Sequence, residues 1–194
     1  MIDENQANKT EVEVITDMSS KTIKETKSSL DSLTNFFDDL FNKQMPKLPK
    51  DFLDFFVKYM PVLNIIGIIL KVLGIFALLS ASALIVISLI GFASLGSATI
   101  PNIGINPIIF VLGSIISLIG IVAEIYFAIK AQSGLESKNM NSWNYIYYGT
   151  IVGFVFGVVG SVLSLSIGSV IISCIVLFIY LLIQFQIRSQ YKNK

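Results

Sequence analysis

The chain has 194 residues, of which 54% are hydrophobic and 14% charged, and its mean hydropathy is +0.75. Because soluble domains carry about a quarter charged residues, this composition disfavours a soluble enzyme and indicates an integral membrane protein. The net charge of +1 gives no sign of nucleic-acid binding, and a single cysteine excludes an intrachain disulfide and a multi-thiolate metal site.

Charge divides the chain into two parts. Residues 1–58 hold eight basic and eleven acidic residues, a net charge of −3, whereas residues 59–194 hold six basic and two acidic ones, a net charge of +4. The first composition is typical of a water-soluble segment and the second of a segment in lipid. The acidic, polar start is unlike a secretory signal peptide, so we expect the amino terminus in the cytoplasm.

The amino-terminal part is predicted to be a disordered polar tail followed by an amphipathic helix. Residues 1–20 lack aromatic side chains and are rich in Glu, Asp, Asn, Lys and Thr. Residues 22–44 show apolar side chains at helical spacing, with aspartates on the other faces. Because this polar face is acidic, we expect the helix to bind a partner protein or a second copy rather than anionic lipid. The residues predicted to make this contact are Leu30, Leu33, Phe37, Leu40 and Phe41.

Prolines separate this helix from the membrane part. Pro46 and Pro49 end it, because proline lacks the N–H that a helix interior requires. Asp51 is suited to cap a second short helix, which the pattern ends at Pro61. Lysines around its apolar positions suit the lipid headgroup region. The alternative is that this stretch is an extension of the first membrane span.

Residues 21–61 are therefore assigned to cytoplasmic or interfacial amphipathic helices and residues 62–194 to a transmembrane domain. We expect an all-α fold, an integral membrane four-helix bundle preceded by these amphipathic helices. Each span is an apolar stretch of about 20 residues, the length that crosses a bilayer. A polar segment at 130–144 separates the second span from the third. The four spans are predicted at about 70–92, 108–129, 145–164 and 167–187.

Basic residues near the span ends predict the orientation, since Lys and Arg resist translocation. They lie before the first span, between the second and third, and after the fourth, whereas the outer loops 94–107 and 164–168 contain no charged residue. Most tyrosines and the one tryptophan, Trp143, fall at the same inner level. Both termini are therefore predicted on the cytoplasmic side of the cell inner (plasma) membrane.

Small residues recur every four positions along the third span and form a smooth face that another backbone can approach. Packing within the same bundle is the structural interpretation, and contact between copies in a homo-oligomer is the alternative. The stripe consists of Gly149, Gly153, Gly157 and Ser161.

Glu124 is the one acidic residue inside any predicted span, and an ionisable group in lipid marks a function or a specific partner. Counted from the outer span ends, Glu124, Gln184 and Tyr148 fall in one layer, with Lys71 nearer the inner surface. Because helical side chains lean toward their own amino terminus, Lys71 and Glu124 are predicted to point apart. Glu124 is then expected to hydrogen-bond Tyr148 or Gln184, while Lys71 snorkels.

Three roles for Glu124 stay open: a structural polar anchor, a proton- or cation-linked site, and a contact with a partner subunit. Catalysis has little support, because the chain has no histidine and no HExxH, GxSxG, CxxC or phosphate-loop motif. We expect no enzymatic activity, no cofactor and no metal.

Two motifs carry a resemblance. The sequence NSWNYIYYGT enters the third span, and LIQFQIRSQYK closes the fourth. Over about residues 58–192 the chain resembles small uncharacterised bacterial membrane proteins. In these proteins a Gly/Ser-Trp-Asn-aromatic-Tyr segment starts the third span and an aromatic-Gln-Ile-Arg-x-x-Tyr segment closes the fourth. The resemblance implies a four-span fold and brings no established activity with it.

Two hypotheses about function follow. The first is a non-catalytic membrane subunit or scaffold, whose amphipathic helix at 22–44 engages a partner protein or a second copy. The second is a small oligomeric transporter or channel, with Glu124 as its titratable group. The absence of a polar cavity around Glu124 would count against the second hypothesis.

Overall fold

The all-α prediction is confirmed. In a computed structural model, the chain is helical apart from turns and one isolated β-bridge, in the part that the structure describes. The predicted tail, except residue 20, and nearly all of the predicted outer loop 94–107 lie outside that part. The structure describes residues 20–22, 24–26, 28–94, 107–164 and 166–192.

The amino-terminal part of the chain, as far as Pro46, forms a compact unit of its own. Residues 28–38 form helix α1, and a π-helical turn, Asp39–Gln44, continues it. The helix ends at Met45, which is in an extended conformation directly before Pro46, so the predicted end at the prolines is confirmed. On α1 the rings of Phe37 and Phe41 stack at 5.8 Å, as the helical spacing of these residues requires.

The first membrane helix is much longer than predicted. Helix α2 runs over Lys50–Ser94 and contains Pro61, so the predicted stop at Pro61 is wrong. A proline inside a helix removes one hydrogen bond, the one to the carbonyl four residues before it. Ending the helix in lipid would leave several backbone groups unpaired, each at a larger cost. The alternative interpretation, an extension of the first span, is the one that the structure shows.

Three further helices complete the transmembrane domain. The predicted polar segment 130–144 is mostly helical, and residues 136–139 alone form the turn inside it. The Asn139 side chain accepts from the Asn141 N–H at 2.9 Å, which caps the next helix and explains its early start. The helices are α3 (Pro107–Leu135), α4 (Met140–Leu163) and α5 (Ile167–Ile187), the last continued by a 3-10 turn, Arg188–Gln190.

Four of the described helices are long and apolar enough to cross a membrane. Their outward faces carry large apolar side chains, such as Leu70, Phe76 and Leu84, each more than 60% exposed. So many exposed apolar side chains on long helices are typical of contact with lipid. The chain is therefore a multi-pass membrane protein. The candidate spans are Lys50–Leu84, Val111–Leu135, Met140–Leu163 and Ile167–Gln190.

Hydrogen bonds tie three segments together at one end of the transmembrane domain: the approach to α2, the α3–α4 turn and the chain after α5. The start of α2 and the end of α5 therefore lie at the same end as this turn. The bonds run from Leu48 N to Gln186 Oε1 (2.8 Å), Gln190 Nε2 to Asp54 Oδ1 (2.9 Å), Lys192 N to Lys138 O (2.9 Å) and Met140 N to Lys192 O (3.0 Å).

Helices α3 and α4 form the closest pair of the bundle. A Cβ built on Gly113 would lie 2.8 Å from the Gly160 carbonyl oxygen, and one built on Gly160 would lie 2.7 Å from that of Gly113. Real Cβ atoms do not come this near to backbone oxygens. The two backbones thus approach each other at a distance that only glycine permits, as is common between helices in membranes.

Candidate intramembrane site

A cavity of about 470 Å³ lies between α2, α4 and α5. Its volume falls in the range of small-molecule sites. The cavity exists because α2 packs mainly on α3 and more lightly on α5, and because Gly67 and Gly157 line it where larger side chains would fill the space. Its walls are mostly apolar and include Phe56, Met60, Leu63, Phe154, Val176 and Leu177.

An ion pair lies on the wall of this cavity. Lys71 Nζ is 3.6 Å from Glu124 Oε2, and the two side chains are 35% and 21% exposed. The prediction that these side chains point apart is therefore wrong. That prediction combines the lean of helical side chains with depths counted from the loop ends, and α2, with 45 residues, is longer than a perpendicular crossing requires. Its register against α3 is set by packing, which a count along the chain does not include.

Three of the four residues predicted to form a polar cluster line the cavity: Lys71, Glu124 and Gln184. The predicted hydrogen bond from Gln184 to Glu124 is absent, since the Gln184 amide has no partner among the described residues. Tyr148 does not belong to the residues that line the cavity. It is half-buried, and its ring lies 5.4 Å from that of Tyr147.

Asn64 is a polar residue of the site that sequence reasoning missed. Its Nδ2 donates to the Ala128 carbonyl at 2.9 Å and to Gln132 Oε1 at 2.7 Å, which ties α2 to α3. Asn64 precedes Lys71 by seven residues, two helical turns, and both line the cavity. Asn64 is the one amide side chain in α2, and its spacing of two turns from Lys71 could have indicated that it belongs to the site.

Gln184 is the most deeply buried polar side chain of the described residues, at 1% exposure. Its backbone carbonyl accepts from Trp143 Nε1 at 2.9 Å. Neither Oε1 nor Nε2 of its side chain has a hydrogen-bond partner in the described part of the chain. A buried polar group without a partner costs about 1–3 kcal/mol, and most such groups in proteins are paired. Because both atoms are also closed to a water-sized probe, the amide lies behind the surface of the cavity.

The predicted stripe of small residues divides between two environments. A Cβ on Gly149 would lie 2.8 Å from Phe127 Cβ, and one on Gly153 would overlap the Glu124 side chain, so both glycines face α3. Gly153 and Gly157 both line the cavity, and Gly157 differs in having open space before it. Ser161 is half-buried. These positions support packing within the bundle for the first two glycines, and the homo-oligomer contact stays a prediction.

The residues predicted to bind a partner differ in exposure. Phe41 is buried at 1% exposure, and Leu30, Leu33, Phe37 and Leu40 are half-buried. Phe36, which the prediction did not include, is the exposed aromatic residue of α1, at 60%.

The two motifs that carry the resemblance meet in the structure. The Trp143 ring stacks on Tyr147 at 5.5 Å and meets the edge of Phe185 at 5.2 Å. The Arg188 guanidinium lies 5.0 Å above Trp143, within cation–π range. The start of α4 and the end of α5 are therefore joined by an aromatic cluster at the end of the bundle that holds the α3–α4 turn.

Comparison with protein-family models, with curated proteins and with solved structures found no match to this chain. Within the described residues, no group of three or more His, Cys, Asp or Glu side chains is placed to hold a metal ion.

Proposed function

We propose that the chain is a non-catalytic four-span membrane protein whose cavity binds a lipid-soluble molecule taken from the bilayer. The observation that carries this proposal is the cavity of about 470 Å³ between α2, α4 and α5, with its apolar walls. Sites of this kind form between the helices of bundles, where apolar walls hold most of a ligand and a few polar groups orient it.

The ion pair favours a neutral ligand. Lys71 and Glu124 compensate each other, so the cavity has no excess charge with which to attract an ion. A half-buried pair of this kind also joins α2 to α3, which supports the structural role of Glu124 over the proton-linked one.

Native mass spectrometry of the full chain, released from a mild detergent, tests the proposal. Wild-type protein is expected to carry an adduct in the mass range of single-chain lipids. Gly157→Leu places a side chain into the open cavity and should remove the adduct. Gly74→Leu is the matched control, because Gly74 also has open space before it but does not line the cavity. Loss of the adduct from both variants, or from neither, would contradict the proposal.

A small oligomeric transporter or channel is the second candidate: the position of Glu124 on the cavity wall favours it, and the mostly apolar walls count against it. Its test is flux of cations or protons into liposomes containing the reconstituted chain. Glu124→Gln would abolish that flux while the protein still assembles. Absence of flux through the wild-type chain, or equal flux through both proteins, would contradict the transport function.

A scaffold role is the third candidate, in which residues 28–44 dock a partner protein or a second copy. The exposure of Phe36 beside an acidic helix face favours it. Phe36→Asp is expected to remove the partner or second copy seen on purification in mild detergent. Asn35→Asp adds the same charge at the neighbouring exposed position and should retain it. Equal retention by both variants would contradict this role.

We also infer that the chain lies in the cell inner (plasma) membrane with its amino and carboxyl termini on the cytoplasmic side. The positive-inside rule supports this orientation, because Lys130, Lys138, Arg188 and Lys192 lie near the α3–α4 turn and the end of α5. A thiol reagent that cannot cross membranes should label Lys192→Cys, in a Cys174→Ala background, only after cells are permeabilised. Labelling of intact cells would contradict the orientation.

A further inference from the structure

We infer that internal water binds beside the Lys71–Glu124 ion pair, in a small polar cavity next to the larger apolar one. The water supplies hydrogen bonds to both charged groups at a depth where lipid offers none. This water site does not depend on whether the larger cavity takes a ligand.

The small cavity has a volume of about 30 Å³ and lies against the ion pair. One water molecule needs about 10–15 Å³ of such volume, so the space suits roughly one or two waters and is too small for a lipid. Its walls are mostly polar, in contrast to those of the larger cavity. Five residues with polar side chains line both cavities: Asn64, Lys71, Glu124, Thr150 and Tyr180.

The geometry of the ion pair leaves room for water. Lys71 Nζ and Glu124 Oε2 are 3.6 Å apart. A direct hydrogen bond between an ammonium and a carboxylate is shorter, at about 2.7–2.9 Å. An ammonium has three donors and a carboxylate accepts at both oxygens, so each group can bond to water while the two charges still attract each other. A water beside both groups can therefore accept from Nζ and donate to the carboxylate.

Other groups around the small cavity provide further partners for water. The Asn64 amide donates both N–H groups to oxygens of α3, and its Oδ1 can accept. The Thr150 hydroxyl donates to the Ile146 carbonyl at 2.9 Å, and its oxygen can accept as well. The Tyr180 hydroxyl can donate or accept. Water in this cavity thus has access to the two to four polar partners that buried water typically requires.

Water suits this site better than an ion does. A cation would meet the Lys71 ammonium on the wall, and an anion would meet the Glu124 carboxylate. Water carries no net charge and bonds to both groups, so it lowers the cost of keeping two charges inside the membrane.

A crystal structure of the full chain, grown from a lipid mesophase and at a resolution that shows ordered water, tests the inference. We expect at least one water peak within hydrogen-bond distance of both Lys71 Nζ and a Glu124 carboxylate oxygen. A well-defined ion pair without water beside it would contradict the inference. Direct contact of the two charged groups that closes the small cavity would contradict it as well.

Two variants test what holds the water. Lys71→Met with Glu124→Met replaces both charged groups by apolar side chains of similar length, and we expect the water peak to be lost. Water that persists in this double variant is not held by the ion pair, which would overturn the inference. The wild-type structure decides the question even if the double variant does not fold.

Gly157→Leu is the control, because Gly157 lines the larger cavity and not the small one. This variant should keep the water peak while it loses the lipid adduct. Loss of the water from Gly157→Leu would contradict a separate water site. Absence of a lipid adduct from the wild-type chain would contradict the proposed function and leave the water site as it is.

Discussion

Two neighbouring glycines of α4 lie in opposite environments. Toward α3, a Cβ on Gly160 would lie 2.7 Å from the Gly113 carbonyl oxygen, so the absence of a side chain permits two backbones to meet. Toward the cavity, Gly157 has no described atom within 4 Å of the place where its Cβ would stand. Three residues of one helix separate a closed interface from an open site.

This difference shows that small residues at regular spacing mark surfaces where close approach is possible, without determining whether it occurs. Whether two helices approach closely depends on the residues of the facing helix. Across from Gly160 stand Gly113 and Ser117, both small, and the helices close. Across from Gly157 no neighbouring atom comes within 4 Å, so the missing side chain adds to the volume of the cavity.

The largest expected effect tests this comparison directly. Gly160→Leu forces two helices apart and is expected to destabilise the protein by about 3 kcal/mol or more, whereas Gly157→Leu is expected to change stability by less than about 1 kcal/mol. Reversible unfolding by SDS in mixed micelles, followed by circular dichroism, measures both. Equal destabilisation by the two substitutions would remove the distinction between these two glycine environments.

The ion pair lies where the cavity meets the closed side of the bundle. Glu124→Gln leaves the Lys71 ammonium without an opposite charge nearby, and we expect the free energy of unfolding to fall by about 2–3 kcal/mol. The double variant Glu124→Gln with Lys71→Met should recover most of this loss, because no charge is left in the membrane. The same unfolding experiment measures both variants. If the double variant is as unstable as the single one, the pair is not the source of the stability.

Trp143 tests how much the aromatic cluster between α4 and α5 contributes to stability. Trp143→Phe removes the hydrogen bond to the Gln184 carbonyl and weakens the stack under Arg188, and we expect a loss of about 1–2 kcal/mol. Tyr145→Phe on the same helix, at an exposed position, is the control and should stay within about 0.5 kcal/mol. If the control loses as much stability as Trp143→Phe, the contacts of Trp143 are not the source of the effect.

The smallest effect at neutral pH is expected at Tyr191. Burial raises the pKa of Tyr191 to about 12, and its hydroxyl has no hydrogen-bond partner among the described residues. Because the folded pKa lies above the ordinary value of about 10, the stabilisation is complete below pH 10 and is lost as the pH rises through 12. Tyr191→Phe should be neutral or slightly stabilising at pH 7 and should weaken this alkaline loss of stability. An unchanged alkaline loss would contradict the assignment.

The amount of structure that could be predicted follows from the kind of interaction involved. Apolar runs give the four spans, because hydrophobicity is a property of the chain itself. The helix at 28–44 and its end before Pro46 follow from local chemistry in the same way. Pro61 shows the limit: locally it predicts a stop, and the requirement to pair backbone groups in lipid overrides it.

The candidate site shows a second limit. Sequence identified Glu124, Lys71 and Gln184 as unusual, and the structure places all three on one cavity. The prediction that Lys71 and Glu124 do not contact each other is wrong, because that contact depends on the register of α2 against α3. Asn64 was overlooked although its spacing from Lys71 was visible. The cavity itself arises because α2 packs more lightly on α5 than on α3, which no residue pattern in the sequence indicates.

The β-bridge between Asn139 and Lys192 has a consequence for the order of assembly. It joins the α3–α4 turn to chain that lies more than 50 residues further on, so it forms only after the whole of α5 has been synthesised and inserted. Helices α3 and α4 pair through a four-residue turn and need nothing downstream. The growing chain can therefore form the α3–α4 hairpin first, and the last helix then closes the far wall of the cavity.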